Sequence, residues 1–316
     1  MKNYTFISLL IALSLILIPV LTVTVSEKRE AAPKTADETK IQSGGESVEV
    51  VRTSSGKTEK MSEIEYLIGA VSAEMPPTYH EEALKAQAVA CYTYMLYACA
   101  QGENLSDDSK THQGYLSDEE CKEKWGKKYD VYHNKIKKAC EEVIGKAVIY
   151  DGKPIMAAFH AICPGRTQSA ADIWGKDVAY LKSVVSDGDR LSPDYSSTVV
   201  LTKEQFKESA GKLDGCTLPD DVSKWVGDVS KTDSGAVKEI KIGDKNYSGE
   251  KVRGAFNLRS NCFTVEYKND KFTFNVTGYG HGVGMSQYGA DYMARQGSTY
   301  EEILRHYYTG AEIKKL

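Results

Sequence analysis

The chain has 316 residues, a net charge of −4 and a sequence pI of about 6.0. A hydrophobic fraction of 41% and a charged fraction of 27% are ordinary for a globular protein. The lack of a basic balance speaks against a nucleic-acid binder.

The first element is an uncharged apolar run from Thr5 to Val25, rich in Leu and Ile, preceded by Lys2 and followed by Glu27-Lys28-Arg29-Glu30. About 20 such residues are enough to cross a bilayer. No small-x-small cleavage site follows Pro19, so residues 1–25 read as an uncleaved anchor, with a cleaved signal peptide as the alternative. Either reading sends the remainder outside the cytoplasm. Residues 26–46 hold Glu, Lys, Ala, Pro, Thr and Gly-Gly with almost nothing to bury, and read as a linker. Residues 47–316, about 270, suffice for one large domain or two small ones.

Ser47 to Arg52 alternates like a first strand. Ser62-Glu63-Ile64-Glu65 and Thr78-Tyr79-His80-Glu81 read as capping boxes that open two helices. The second helix carries Leu84, Ala88, Cys91, Met95 and Cys99 at spacings of four and three. Met75-Pro76-Pro77 stops the first. Ala147–Tyr150, Asp151-Gly152 and Pro154–Ile162 read as a hairpin, as do Asn261–Lys268, Asn269-Asp270 and Lys271–Thr277. Leu201–Lys212 reads as a helix, as does Ser286–Gln296 with Gly297 at its end. Ser298-Thr299-Tyr300-Glu301 caps the last helix. Strands and helices do not alternate regularly, so the expected class is α+β, with helices and antiparallel strands forming a substrate cleft.

Seven cysteines, an odd number, leave at least one unpaired in a monomer. Cys91 and Cys99 on one helix would lie ~12 Å apart, too far for a bridge. Most of the seven read as small buried apolar residues.

Three segments bear chemistry. Glu74 sits at a helix–proline turn among Val71, Ala73, Met75, Pro76 and Pro77. Apolar neighbours disfavour ionisation, and a raised pKa is what a general acid near neutral pH needs. A solvated turn carboxylate is the bland alternative. Gly278 to Gly289 alternates glycine with His281, Val283 and Met285 and continues into Ser286-Gln287-Tyr288. It fits neither a helix nor a plain strand, and allows close backbone approach beside polar groups. It lacks the Gly-Lys-Ser/Thr of a phosphate loop. In Phe159 to Thr167, His160 and Cys163 are candidate zinc ligands only if the Pro164-Gly165 bend brings them together, with His112 or Cys121 as the remaining hints. Gln113 and Tyr115 have the polar and aromatic character that binds sugars.

Together these segments resemble the stage II sporulation protein D (SpoIID) family of lytic transglycosylases. The resemblance is carried by Glu65-Tyr66-Leu67, by Val71-Ser72-Ala73-Glu74-Met75-Pro76 and by Glu82 to Ala90. It continues through His112-Gln113, Gly165-Arg166-Thr167, Ala171 to Gly175, Tyr180 to Val184 and Leu258-Arg259-Ser260, and ends with Gly278 to Ala290 and His306-Tyr307-Tyr308. It implies cleavage of peptidoglycan glycan strands whose stem peptides are gone. Glu74 would be the catalytic residue, and Gln87, Tyr92, Gln113, Tyr115, His281, Ser286 and Gln287 would bind substrate. No cofactor is implied, the possible zinc apart. One carboxyl group would protonate the glycosidic oxygen, then take the proton of the muramic C6 hydroxyl as it closes a 1,6-anhydro ring, so no second carboxylate is required. The resemblance also implies the amidase/endopeptidase SpoIIP and the membrane scaffold SpoIIM as partners in engulfment, at the mother-cell membrane facing the intermembrane space. Tyr92 replaces the arginine usual in the family pattern, losing a charge and five donors. A non-catalytic wall-binding amidase enhancer is the rival reading.

Overall fold

The computed structural model describes residues 47–109 and 111–316. The expected anchor and linker lie outside them. Among the described residues no helix is long and apolar enough to cross a membrane.

Two antiparallel strands, β1 (Ser47–Val51) and β2 (Thr58–Ser62), lead into helix α1 (Glu63–Glu74). Ser62 caps α1 by accepting from Glu65 N–H at 3.3 Å. The Met75-Pro76-Pro77 turn ends it. Helix α2 (Glu81–Ala100) is the axis of this half. Thirteen of its 20 residues are buried, on every side, which marks a central helix rather than an amphipathic surface one. Its start differs from the expected Thr78 cap. His80 occupies the cap, accepting from Glu82 N–H through Nδ1, and the His80 N–H is held by Asp291 at 2.6 Å. A carboxylate 211 residues away thus sets the boundary, which local sequence does not carry.

The strand β3 (Leu105–Ser106) joins β1 in parallel, and helices α3 (Asp118–Trp125) and α4 (Tyr129–Val143) pack beside α1 and α2. The hairpin of β4 (Lys146–Tyr150) and β5 (Lys153–Pro154) turns at Asp151-Gly152 as expected. Its second strand is only two residues long, and the chain re-forms a strand at β6 (Phe159–His160) with another partner. Thr93 ties α2 to β4, its hydroxyl accepting from Val148 N–H at 2.9 Å.

After the short helix α5 (Ala170–Trp174) the chain builds a second packing centre. It runs through β7 (Ser196–Thr202), α6 (Lys203–Ala210), β8 (Val226–Lys231), β9 (Val237–Ile242), β10 (Lys245–Ser248), α7 (Gly249–Phe256), β11 (Phe263–Lys268) and β12 (Lys271–Thr277). Its sheets, ordered β11-β12-β7 and β10-β9-β8, are antiparallel. Their core is aromatic: Phe206 stacks on Phe272 at 4.0 Å, and Trp225 lies parallel to the same ring. Leu201 and Thr202 belong to β7, so α6 starts two residues later than the sequence suggests, at a reciprocal Thr202–Gln205 capping box.

The glycine-rich run then crosses back. Its close approach is to the protein's own backbone at 158–163. Tyr279 and Ile162 exchange N–H···O bonds, and β13 (Met285–Ser286) pairs in parallel with β6. Gly284 shows why glycine is needed: its φ is +77°, and a Cβ there would collide with the Ala158 carbonyl oxygen. Helices α8 (Gln287–Arg295) and α9 (Tyr300–Tyr307) return to α2, and β14 (Glu312–Lys315) completes the sheet with β4 and β5. The architecture is therefore mixed α and β, with mostly antiparallel sheets.

None of the seven cysteines forms a disulfide, and five are buried. Cys91 and Cys99 both lie on α2.

Candidate active site

A cavity of about 650 Å³ opens where the end of α1, Ser109, Thr111–Gln113, the segment Met156–Ala161 and the glycine-rich run meet. Glu74 lines it, together with His112, Gln113, His160, His281 and Gln287. Glu74 is the only carboxylate among the described lining residues.

Glu74 is the last residue of α1, so its backbone is fixed by a helix while its side chain leaves at the proline turn. One carboxyl oxygen accepts from the Gly114 N–H. Glycine eases this approach: a Cβ at Gly114 would stand 3.0 Å from the Glu74 oxygen and 3.1 Å from Ala73 Cβ, tighter than ordinary packing. Burial pushes the carboxyl above the ordinary carboxylate range. The Gly114 N–H and the charge of Lys124 pull the other way and do not overcome it. The Glu74 backbone is clamped as well. Gln287, the first residue of α8, donates from Nε2 to the Glu74 carbonyl at 2.9 Å and to Gln87 Oε1 at 3.3 Å. Gln87 itself is fully buried and reaches the site only through Gln287.

The far wall is set by one residue of the glycine run. The Val283 N–H donates to His281 Nδ1 at 3.0 Å, and the Val283 carbonyl accepts from His160 Nδ1 at 3.1 Å. Those bonds put the proton on Nε2 in neutral His281 and on Nδ1 in His160. Both rings are neutral. Burial, with the neighbouring His281, pushes His160 down to about 3, and burial with Arg253 nearby pushes His281 down to about 4.

Four of the eight residues singled out from sequence lie on this cavity: Glu74, Gln113, His281 and Gln287. The other four do not. Tyr92 is buried with its hydroxyl on Glu63 at 3.1 Å. Tyr115 stacks on Tyr66 at 5.9 Å under the Arg52 guanidinium, and faces a different cavity of about 500 Å³ beside α3 and α4. Ser286 is buried as the cap of α8 and donates to Asp189. Gln87 stands behind Gln287. Of the residues raised for zinc, His160 faces the cavity, Cys163 is turned to Asp189, and Cys121 faces the second cavity. His112 bonds Ser106 at 3.0 Å. Among the described residues no group of three or more His, Cys, Asp and Glu could hold a metal ion.

Tyr94, Trp174 and Tyr279, none of them among the candidate binding residues from sequence, also line the cavity. Trp174 and Tyr279 are 41% and 46% exposed. Trp174 ends α5 just before Gly175 in the left-handed region, and its ring lies 5.4 Å from His281. In the sequence Trp174 shows only as a tryptophan directly before a glycine; that its ring is exposed shows only in the fold.

The family model described as "SpoIID: Stage II sporulation protein" matches residues 52–150. Stage II sporulation protein D of Bacillus subtilis (strain 168) is 35% identical, with all of this chain and 96% of that protein aligned. The protein of the same name from Bacillus amyloliquefaciens is also 35% identical, over 91% of this chain and 86% of its own length. A Bacillus subtilis protein named amidase enhancer is 28% identical over 78% of this chain and 40% of its own length. With that identity sustained from end to end, the chain belongs to the stage II sporulation protein D family.

Proposed function

We propose that the Glu74 cavity is a glycan cleft and that the protein is a peptidoglycan lytic transglycosylase acting on strands stripped of stem peptides. The carrying observation is that one buried carboxyl group, raised above its ordinary range, is the only carboxylate among the described residues of a cavity walled by exposed aromatic rings. A hydrolase of the usual kind flanks the scissile bond with two carboxylates. With one, this reading takes the nucleophile from the substrate. Glu74, protonated before the reaction, gives its proton to the oxygen between N-acetylmuramic acid and N-acetylglucosamine. The resulting carboxylate takes the proton of the muramic C6 hydroxyl as that oxygen closes on C1, leaving a 1,6-anhydro end. Glu74 finishes protonated. The Gly114 N–H steadies the anion between the two transfers.

In this reading the chain works outside the cytoplasm, held to the membrane by its apolar N-terminal run. Its partners in engulfment are SpoIIP, which would supply the stripped strands, and SpoIIM. The amidase-enhancer relative favours the second reading, binding to wall without cleavage. Tyr92 gives that reading little support, because its hydroxyl is engaged by Glu63 away from the cavity.

Incubation of the full-length protein with amidase-stripped sacculi separates the two. Mass spectrometry should find new anhydro-muramic ends with the wild type and none with Glu74→Ala, while both sediment with the sacculi. No anhydro ends from either, with a partner amidase accelerated, would establish the enhancer instead.

A further inference from the structure

Two lining residues carry a buried side-chain atom with no hydrogen-bond partner: Gln113 Oε1 and His160 Nε2. The residues are only 2% and 4% exposed. A polar atom buried unpaired costs about 1–3 kcal/mol, so two in the walls of one cavity call for a common explanation.

Both atoms are acceptors, and the structure fixes them as such. The Gln113 amide nitrogen donates to Tyr66 Oη at 2.7 Å and to the Cys91 carbonyl at 3.2 Å. A carbonyl oxygen can only accept, so the amide cannot be flipped and its oxygen is the free atom. For His160 the same logic runs through the Val283 carbonyl, which takes the proton of Nδ1 and leaves a lone pair on Nε2, at the opposite edge of the ring. Burial, with His281 close by, keeps that ring from gaining a second proton. A metal is a poor reading of the lone pair, because no third ligand stands with it among the described residues.

We propose that His160 is a specificity-determining residue of the glycan cleft, its Nε2 accepting a hydrogen bond from a donor of the bound sugar, an acetamido N–H or a hydroxyl, in concert with Gln113 Oε1. The proposal rests on reading the cavity as a glycan site. Sugars match it chemically: they are neutral, and each ring carries several donors. His160 stays apart from the proton transfers, which belong to Glu74, so its contribution falls on binding.

The test is affinity of the full-length protein for soluble stripped glycan oligosaccharides by titration calorimetry, with cleavage silenced by Glu74→Gln in every sample. His160→Asn preserves a donor near the position of Nδ1 for the Val283 carbonyl and removes the acceptor from the Nε2 position, its own oxygen falling short near Cδ2. It should bind about tenfold more weakly, the size of one hydrogen bond lost from a buried site. In the active background it should raise KM by a similar factor and leave kcat within about threefold. His160→Gln, whose side chain reaches toward the Nε2 position with an oxygen, should recover part of the loss, which a merely structural role would not predict. An equal loss on β-1,4-glucose oligomers assigns the donor to a hydroxyl, and a loss confined to N-acetylated chains assigns it to the acetamido N–H. Unchanged affinity in a folded His160→Asn protein would show that no sugar donor engages Nε2, and the proposal falls while the cleft survives. No glycan binding by the Glu74→Gln parent would bring down both.

Discussion

Glu74 and Asp189 are two buried carboxyl groups raised for the same first reason, burial, yet their surroundings are opposite. Asp189 is fully buried and saturated with donors: the hydroxyls of Ser186 and Ser286, the Cys163 N–H at 2.9 Å and the Cys163 thiol at 3.5 Å. It joins three chain segments and has no open side. Among the described residues the Glu74 carboxyl group has one donor, the Gly114 backbone N–H, and it otherwise faces a cavity lined by two residues with an unpaired acceptor. A raised pKa therefore does not mark a working group by itself. Unfilled hydrogen-bonding capacity beside an opening does.

The comparison breaks most visibly at Glu74. Glu74→Ala should lower anhydro-end formation by about 10³-fold, within the range for loss of a general acid–base residue. Its urea midpoint should hold or rise, since a poorly hydrated carboxyl group is removed. A mutant that unfolds readily would place Glu74 with Asp189 among the structural carboxylates. The mirror variant is Asp189→Ala. Four donors lose their acceptor in a closed site, so stability should fall by about 3 kcal/mol or more in urea denaturation. Cleavage per folded molecule should stay near wild type. Selective loss of cleavage with intact stability would reverse the roles assigned to the two groups.

The same contrast explains what could be read from the residues in advance. Glu74 was legible because its signal is local: an acid between apolar residues at a helix–proline turn. The hairpin turns at Asp151-Gly152 and Asn269-Asp270 were legible for the same reason, each residue pair taking positive φ. Asp189 carries no local signal, because its partners are 3, 26 and 97 residues away. Ser286 looked like a ligand for want of that knowledge; its hydroxyl faces Asp189. Tyr115 follows Gln113 by two positions, yet its ring stacks on Tyr66 and lines the second cavity. His160 reads from sequence as a possible metal ligand, and its free lone pair follows only from the fold, where the Val283 carbonyl takes the other nitrogen.

A smaller effect probes the donor to Glu74. Gly114→Ala keeps an allowed backbone but sets a Cβ against the carboxyl oxygen and Ala73 at contacts tighter than ordinary packing. The carboxyl group must shift by a few tenths of an ångström or the loop must yield. Cleavage should drop about tenfold, since catalytic positioning is sensitive on that scale, with stability changed by less than about 1 kcal/mol. Full activity would show that the Gly114 N–H does not position Glu74.

The smallest effect concerns pH. Because burial raises the folded pKa of Glu74 above the value of about 4.3 expected for the unfolded chain, the folded state keeps a proton that the unfolded state has released between those two values. Stability must then fall as pH climbs through that window and level off above it. Asp189 acts in the same direction. Glu74→Gln removes one of the two contributions while its amide oxygen can still accept from Gly114. Its melting temperature should match the wild type below the unfolded pKa and exceed it by about 1–3 °C at neutral pH. Cleavage by the wild type should decline as pH rises through the folded pKa, because the first step needs the protonated acid. A melting difference of the opposite sign would mean that the Gly114 N–H and Lys124 outweigh burial, leaving Glu74 ionised at rest and unable to begin the reaction.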